Sequence, residues 1–210
     1  MNCNKLKFFL AVFISLTFFQ VNGQGFKAGL IVGLSATQLS GDNLGGFDKA
    51  GLIAGGMVRT ELSQKLDLAM EIIFIQKGSK KNPNPDNFDY SSYFLRLNYF
   101  EVPLLLQWKY TKRFTFEVGP TFGYLLSATE ENELGEIPYN PPRPFDKFEL
   151  GITGGMKLNF AQKFSFTFRV SSSVLPVRPH QSGETYRLNY GQYNAVLMFG
   201  LQYTFMKPNG

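Results

Sequence analysis

Along most of this chain apolar and polar positions alternate with a period of two, which marks strands whose two faces meet different surroundings. The C-terminal run is the clearest: Ala195, Leu197, Phe199, Leu201, Tyr203 and Phe205 alternate with Val196, Met198, Gly200, Gln202 and Thr204. At the other end, Phe26 to Leu39 puts Phe26, Ala28, Leu30, Val32 and Leu34 on one face. Ala50 to Glu61 is Gly-rich, which allows bends and close backbone approach. Leu66 to Lys77 sets Leu66, Leu68, Met70, Ile72 and Phe74 against Asp67, Ala69 and Glu71. Tyr93 to Tyr110 sets Val102, Leu104, Leu106 and Trp108 against Glu101, Pro103, Gln107 and Lys109. Phe114 to Ser127, Phe148 to Phe160 and Phe164 to Val174 each repeat the pattern, with a Phe-bearing face opposite a polar one. The pattern therefore predicts eight strands.

The connections carry a second regularity. Segments 62–65, 111–113 and 161–163 are tight polar links, and they alternate with long stretches at 40–49, 78–92, 128–147 and 175–191. Short turns at one end and long loops at the other characterise outer-membrane barrels. The expectation is an all-β, eight-stranded antiparallel up-and-down transmembrane β-barrel with short periplasmic turns and long extracellular loops. Pro138, Pro141, Pro142 and Pro144 stiffen the third loop. Its acids Glu130, Glu131, Glu133 and Glu136 contrast with Lys77, Lys80 and Lys81, assigned here to the second loop.

Alternation alone does not say which face is inside, and a soluble lipocalin-like carrier would turn its apolar face inward. The second face carries Arg59, Glu71, Glu117, Glu149, Lys157 and Arg169. That lining suits no apolar ligand, so these residues are expected to face the lumen and pair with one another, as buried charges must. An eight-stranded barrel is only wide enough for side chains or one small ligand. A structural plug of ion pairs is the expected arrangement, with a gated proton or ion path as the alternative.

Composition agrees with the membrane reading. Aromatic residues are 16% and charged residues 18% of the chain, with 22 Phe and 10 Tyr. Mean hydropathy is only −0.11, because polar positions alternate with the apolar ones. The net charge of +5 includes Lys5 and Lys7, and no basic cluster with interleaved aromatics argues for nucleic acid. Those two lysines precede the apolar run Phe8 to Phe19, the layout of a secretory signal peptide over residues 1–23, with the barrel domain at 24–210. Loss of Cys3 with that peptide leaves no thiol chemistry. The single histidine, His180, lies near Ser182 and Glu184 and could serve a lipid-A-modifying enzyme only if the three met in usable geometry. No metal set, cofactor motif or phosphate-cradling loop is present, so no cofactor is expected.

Four segments carry a family resemblance. They are Lys27-Ala28-Gly29-Leu30, Glu71 through Gln76-Lys77-Gly78, Tyr99-Phe100-Glu101-Val102-Pro103-Leu104-Leu105-Leu106, and Val118-Gly119-Pro120 leading to Gly123-Tyr124-Leu125-Leu126. Together they resemble the PorT-like outer-membrane barrels of Bacteroidetes-type bacteria. Tyr99, Glu101 and Pro103 are the most specific part, since proline cannot donate to a strand ladder, and a bulge is expected near Pro103. Gly200, Tyr203 and Phe205 resemble the C-terminal signal read by barrel-assembly machinery. The resemblance implies an integral outer-membrane protein in contact with lipid, non-catalytic, acting as scaffold or accessory subunit of a secretion complex of the type IX kind. The alternative is a stand-alone surface barrel whose long loops bind an extracellular ligand.

Overall fold

A computed structural model describes residues 25–42, 44–137, 144–179 and 191–205. The expected signal peptide, Pro138, Pro141, Pro142 and the His180, Ser182 and Glu184 group lie outside the described residues. Nine strands follow one another: β1 (Lys27–Ser40), β2 (Lys49–Glu61), β3 (Leu66–Lys81), β4 (Tyr93–Lys109), β5 (Phe114–Asn132), β6 (Gly135–Glu136), β7 (Phe148–Asn159), β8 (Phe164–Ser173) and β9 (Tyr193–Thr204). Each long strand pairs antiparallel with its neighbour in sequence, and β1 pairs with β9 from Gly29 opposite Thr204 to Ser40 opposite Tyr193. That last ladder closes eight strands into a barrel, so the sheet has no free edge within the membrane, where an unpaired edge would be costly. β6 only folds back on the end of β5, pairing Glu131 with Glu136 and Asn132 with Gly135.

The faces divide as the alternation predicts. Leu30, Val32, Leu52, Ile72, Phe100, Trp108, Phe116, Val118, Phe122, Ile152, Phe166, Phe199 and Leu201 point outward and form an apolar belt. The inward face is polar toward the periplasmic end and apolar toward the outer mouth, where Leu39, Leu95, Leu97, Leu125 and Val177 pack together. Aromatic contacts gird the periplasmic rim: Trp108 with Tyr110 and Phe116, Phe160 with Phe164, and Tyr203 with Phe164 and Phe205.

One proline site departs from the expected geometry. No register shift occurs at Pro103, which pairs in register with Thr121 on β5. The missing N–H is accommodated on the other side instead, where the β3–β4 ladder breaks between Met70–Leu104 and Ile73–Glu101 and resumes unshifted. The register shift lies between Asn98 and Tyr99, which pair with Ser127 and Leu125 and leave Leu126 as the extra residue. Gly119, next to Pro120, lets β5 approach β4 so closely that a Cβ there would stand 1.8 Å from the Leu104 carbonyl oxygen.

Two strands outrun their predicted ends. β3 continues to Lys81 instead of Lys77, and β5 to Asn132 instead of Ser127. On the outer surface Gln76 donates to Asn98 (3.1 Å) and Asn98 to Ser127 (2.8 Å), a polar row where the apolar belt stops. At about 3.4 Å per residue, β3 reaches on the order of 15 Å along its own axis beyond that row. The Asn98–Tyr99 shift sits at the same level, and beyond it β3, β4 and β5 stay paired as far as Lys81 opposite Tyr93 and Tyr93 opposite Asn132.

Candidate functional site

The lumen holds two tiers of charge. In the lower tier Arg169 of β8 forms a bidentate pair with Glu71 of β3, Nη1 to Oε2 at 2.6 Å and Nη2 to Oε1 at 2.7 Å. Its Nε donates to Oε1 of Glu117 on β5 at 2.5 Å. Thr167 and Gln107 also donate to Glu117, Gln202 donates to Glu71, and Lys157 stands 3.6 Å from Glu117. Neutral donors thus occupy carboxylate lone pairs that the cations leave free, which a buried network requires.

The upper tier centres on Lys77. Its ammonium meets Glu149 at 2.9 Å and Glu101 at 2.5 Å, and lies 4.9 Å above the Tyr99 ring. Asn194 donates to the second oxygen of Glu149 at 2.8 Å. Lys77 is therefore a buried lumen residue and not the loop base assigned from sequence, because it continues the inward parity of Asp67, Glu71, Ile73 and Ile75. Arg59 corrects the expectation the other way. It makes no ion pair among the described residues, and its buried Nε lacks a hydrogen-bond partner. Glu101 and Tyr99, singled out as family-motif residues, turn out to be walls of this upper tier.

Between the tiers lies a cavity of about 10 Å³, lined by Ile73, Pro103, Arg169 and Met198 among others. That is room for at most one water. Above it the apolar cluster at the mouth completes the seal. Ion pairs and their neutral donors occupy both levels of the lumen among the described residues.

The outer rim is built differently. Residues 82–92 are braced by a 3₁₀ turn at Pro85–Asn87, reciprocal backbone bonds between Asn84 and Asp89, and the Lys81–Asp89 ion pair at 2.8 Å. The Lys81 and Ser91 contacts hold the Asp89 carboxyl at about 2, below the usual carboxylate value. The turn ends on Phe88 in the left-handed conformation (φ 57°), a residue 87% exposed. Across the mouth Arg178 binds Glu130 and Gln192 and lies 4.2 Å over the Phe145 ring. Neither Phe88 nor Arg178 carries a sequence signal, since a left-handed phenylalanine and a buried loop arginine both look like ordinary loop residues.

The C-terminal triplet separates into two kinds of residue. Tyr203 and Phe205 lie in the aromatic girdle, whereas Gly200 faces inward, where a Cβ would stand 2.9 Å from Thr167 and 3.2 Å from Ile31. Barrel packing therefore requires a residue without a side chain at position 200.

Among solved structures the fold is similar to Ail, the attachment invasion locus protein of Yersinia pestis. That likeness has a TM-score of 0.50 at 12% identity and covers 85% of this chain and 98% of that one. Neisserial surface protein A is also similar, at a TM-score of 0.48 and 11% identity over 86% of this chain and 97% of that one. Identity this low shows the fold alone. No curated protein matches. The model of the outer membrane protein beta-barrel domain family matches residues 18–177, most of the chain. With a closed eight-stranded barrel, an apolar belt and a charged interior already in place, the chain belongs to that family of integral outer-membrane barrels.

Proposed function

We propose that this protein is a non-catalytic docking subunit of the outer membrane, its barrel an anchor and its outer rim the working surface. The observation that carries this is Phe88. A left-handed backbone costs a non-glycine residue about 1–2 kcal/mol, and full exposure of a phenyl ring gains nothing in the isolated protein. A single exposed apolar residue needs no explanation, but one that is exposed, strained and rigidly presented by a braced turn does. Tyr90 and Leu134 stand exposed on the same side of the membrane. Rigid aromatics on a rim are the usual anchors of protein interfaces. The partner is another subunit of an outer-membrane complex, and the secretion machine implied by the PorT-like resemblance is the first to test. Export by a signal peptide over residues 1–23 and insertion through Gly200, Tyr203 and Phe205 by barrel-assembly machinery belong to the same proposal.

The test places an affinity tag between Gly45 and Gly46, in a different loop, and compares wild type with Phe88→Gly after mild-detergent extraction. Glycine suits the left-handed position, so the variant barrel should be at least as stable as wild type. A stoichiometric complex that Phe88→Gly dissolves supports the reading. A monomer in both cases, or a complex indifferent to the substitution, overturns it. A second reading, a rim that takes a small extracellular ligand, is favoured by a separate feature, a cleft at the barrel mouth.

A further inference from the structure

All four extracellular connections contribute to one cleft of about 300 Å³ at the mouth, above the apolar seal. Asp42 comes from the β1–β2 loop, Ser92 and Tyr93 from the start of β4, Glu130 from the end of β5, Glu133 from the turn before β6, and Arg178 from the β8–β9 connection. The volume lies at the lower end of those that hold small molecules.

Two buried polar atoms in its wall have no hydrogen-bond partner among the described residues. Arg178 is 3% exposed; Nε donates to Gln192 (2.8 Å), Nη1 donates to Glu130 (3.0 Å), and Nη2 is the atom left over. Asp42 is half-buried; its Oδ1 accepts from the Leu44 backbone N–H (2.9 Å), and its Oδ2 is the second such atom. Burial raises the Asp42 carboxyl above its ordinary value, against the pull of the Ser79 side chain, of backbone hydrogen bonds and of Arg178. Leaving such groups unsatisfied is costly. The guanidinium is also locked by its other bonds and by Phe145, so its free N–H is fixed in place.

The charge of the cleft selects the ligand. Glu130 is compensated by Arg178 and receives the Tyr93 hydroxyl at 2.6 Å. Asp42 and Glu133 make no ion pair among the described residues, so the described lining is net negative and disfavours anions. Among the described residues no three carboxylates or other metal-ligating side chains converge to hold a metal ion. An ammonium group supplies three donors and one positive charge. A hydroxyl or ring oxygen on the same molecule would accept from Arg178 Nη2.

We infer that this cleft is a binding site for a small organic ammonium that also carries hydroxyl oxygens, of the amino-sugar or amino-alcohol class. The ammonium sits at Asp42, with Glu133 adding to the field, and an oxygen of the ligand takes the free Arg178 N–H. This site rests on the small-ligand reading of the rim and needs no protein partner, so it is tested on the isolated barrel.

The full chain, folded in lipid-free detergent, is titrated with glucosamine, N-acetylglucosamine and glucuronate by calorimetry. These probes share a ring and differ in charge. Glucosamine should saturate one site and bind about tenfold or more tighter than N-acetylglucosamine, while glucuronate should not bind. Asp42→Asn should lose about tenfold or more for glucosamine, and Phe88→Gly should bind as wild type does. Equal binding of the two neutral and cationic sugars would overturn the assignment, as would Asp42→Asn binding like wild type. So would failure of glucosamine to saturate a barrel shown to be folded by its heat-dependent gel mobility. The Phe88 complex stands or falls separately, because no partner is present in this titration.

Discussion

Arg169→Met, taken alone and then with Glu71→Gln, tests whether the lower tier is held by charge balance or by packing. In the wild type two carboxylates, Glu71 and Glu117, face two cations, Arg169 and Lys157, and the side chains of both carboxylates are inaccessible to water. Removing Arg169 deletes both hydrogen bonds of the bidentate pair and the one to Glu117. Glu71 is then left with Gln202 as its only remaining donor among the described residues. Breaking a buried pair in this way costs about 3–5 kcal/mol. At a urea slope of about 2 kcal/mol per molar, the unfolding midpoint should fall by roughly 2 M. Adding Glu71→Gln restores one carboxylate to one cation, Glu117 with Lys157, so most of the loss should return. Arg169→Met with Glu117→Gln should recover less, since Lys157 pairs with Glu117 and not with Glu71. Urea unfolding in lipid vesicles, followed by the fluorescence of the single tryptophan, Trp108, measures all four proteins. A loss below about 1 kcal/mol for Arg169→Met, within the range of surface ion pairs, would refute the buried-network account. So would a double variant no more stable than the single one.

The same arithmetic runs the other way in the upper tier, where one lysine faces two carboxylates. Lys77→Met should cost about 3–5 kcal/mol, whereas Glu101→Gln leaves Lys77 paired with Glu149 and should change the same unfolding midpoint little. Gly119→Val should abolish the folded, heat-modifiable gel band, because β5 cannot approach the Leu104 carbonyl with a side chain present. Asp89 sets a pH limit on the second loop. Its carboxyl is depressed from 3.8 to about 2, so the Lys81–Asp89 brace is present at pH 4 and above and is lost only as pH falls through the folded value. Protease protection of residues 82–92 should accordingly hold on acidification to about pH 4, and Asp89→Asn should abolish that protection at neutral pH.

How much could be read in advance follows from what period-two alternation encodes. It encodes faces, so the eight membrane strands, the outward Phe and Leu positions and the inward Glu71, Glu117, Glu149, Lys157 and Arg169 were all legible. It does not encode where a strand stops once both faces are wet. Gly78-Ser79-Lys80-Lys81 and Ala128-Thr129-Glu130-Glu131 therefore resemble loop, although backbone pairing carries them on as sheet. Lys77 was misplaced for that reason, since a lysine at a supposed strand end looks solvated. Extending the odd-numbered parity from Asp67 and Glu71 by three more steps would have put it in the lumen. Pairing partners were not legible at all: Glu71 and Arg169 are separated by nearly half the chain and meet only because the barrel closes.

Closure also explains why function moves to the rim. Eight strands enclose a space that side chains fill, and here two tiers of ion pairs and an apolar mouth fill it. The outward belt is committed to lipid, and the periplasmic turns are too short to form a surface. What remains is the set of β3, β4 and β5 above the Gln76–Asn98–Ser127 row, together with the loops that meet around Arg178. There the described residues combine local order with unmet chemistry at an open surface: a strained, exposed aromatic, and a guanidinium N–H and a carboxylate oxygen without hydrogen-bond partners. Inside the lumen Glu71, Glu117 and Glu149 are paired with cations, while Arg59 Nε and Lys157 Nζ make no hydrogen bond and are closed in by the barrel wall. With the rim proposed as the working surface, substitutions in the plug should alter stability without altering what the rim binds.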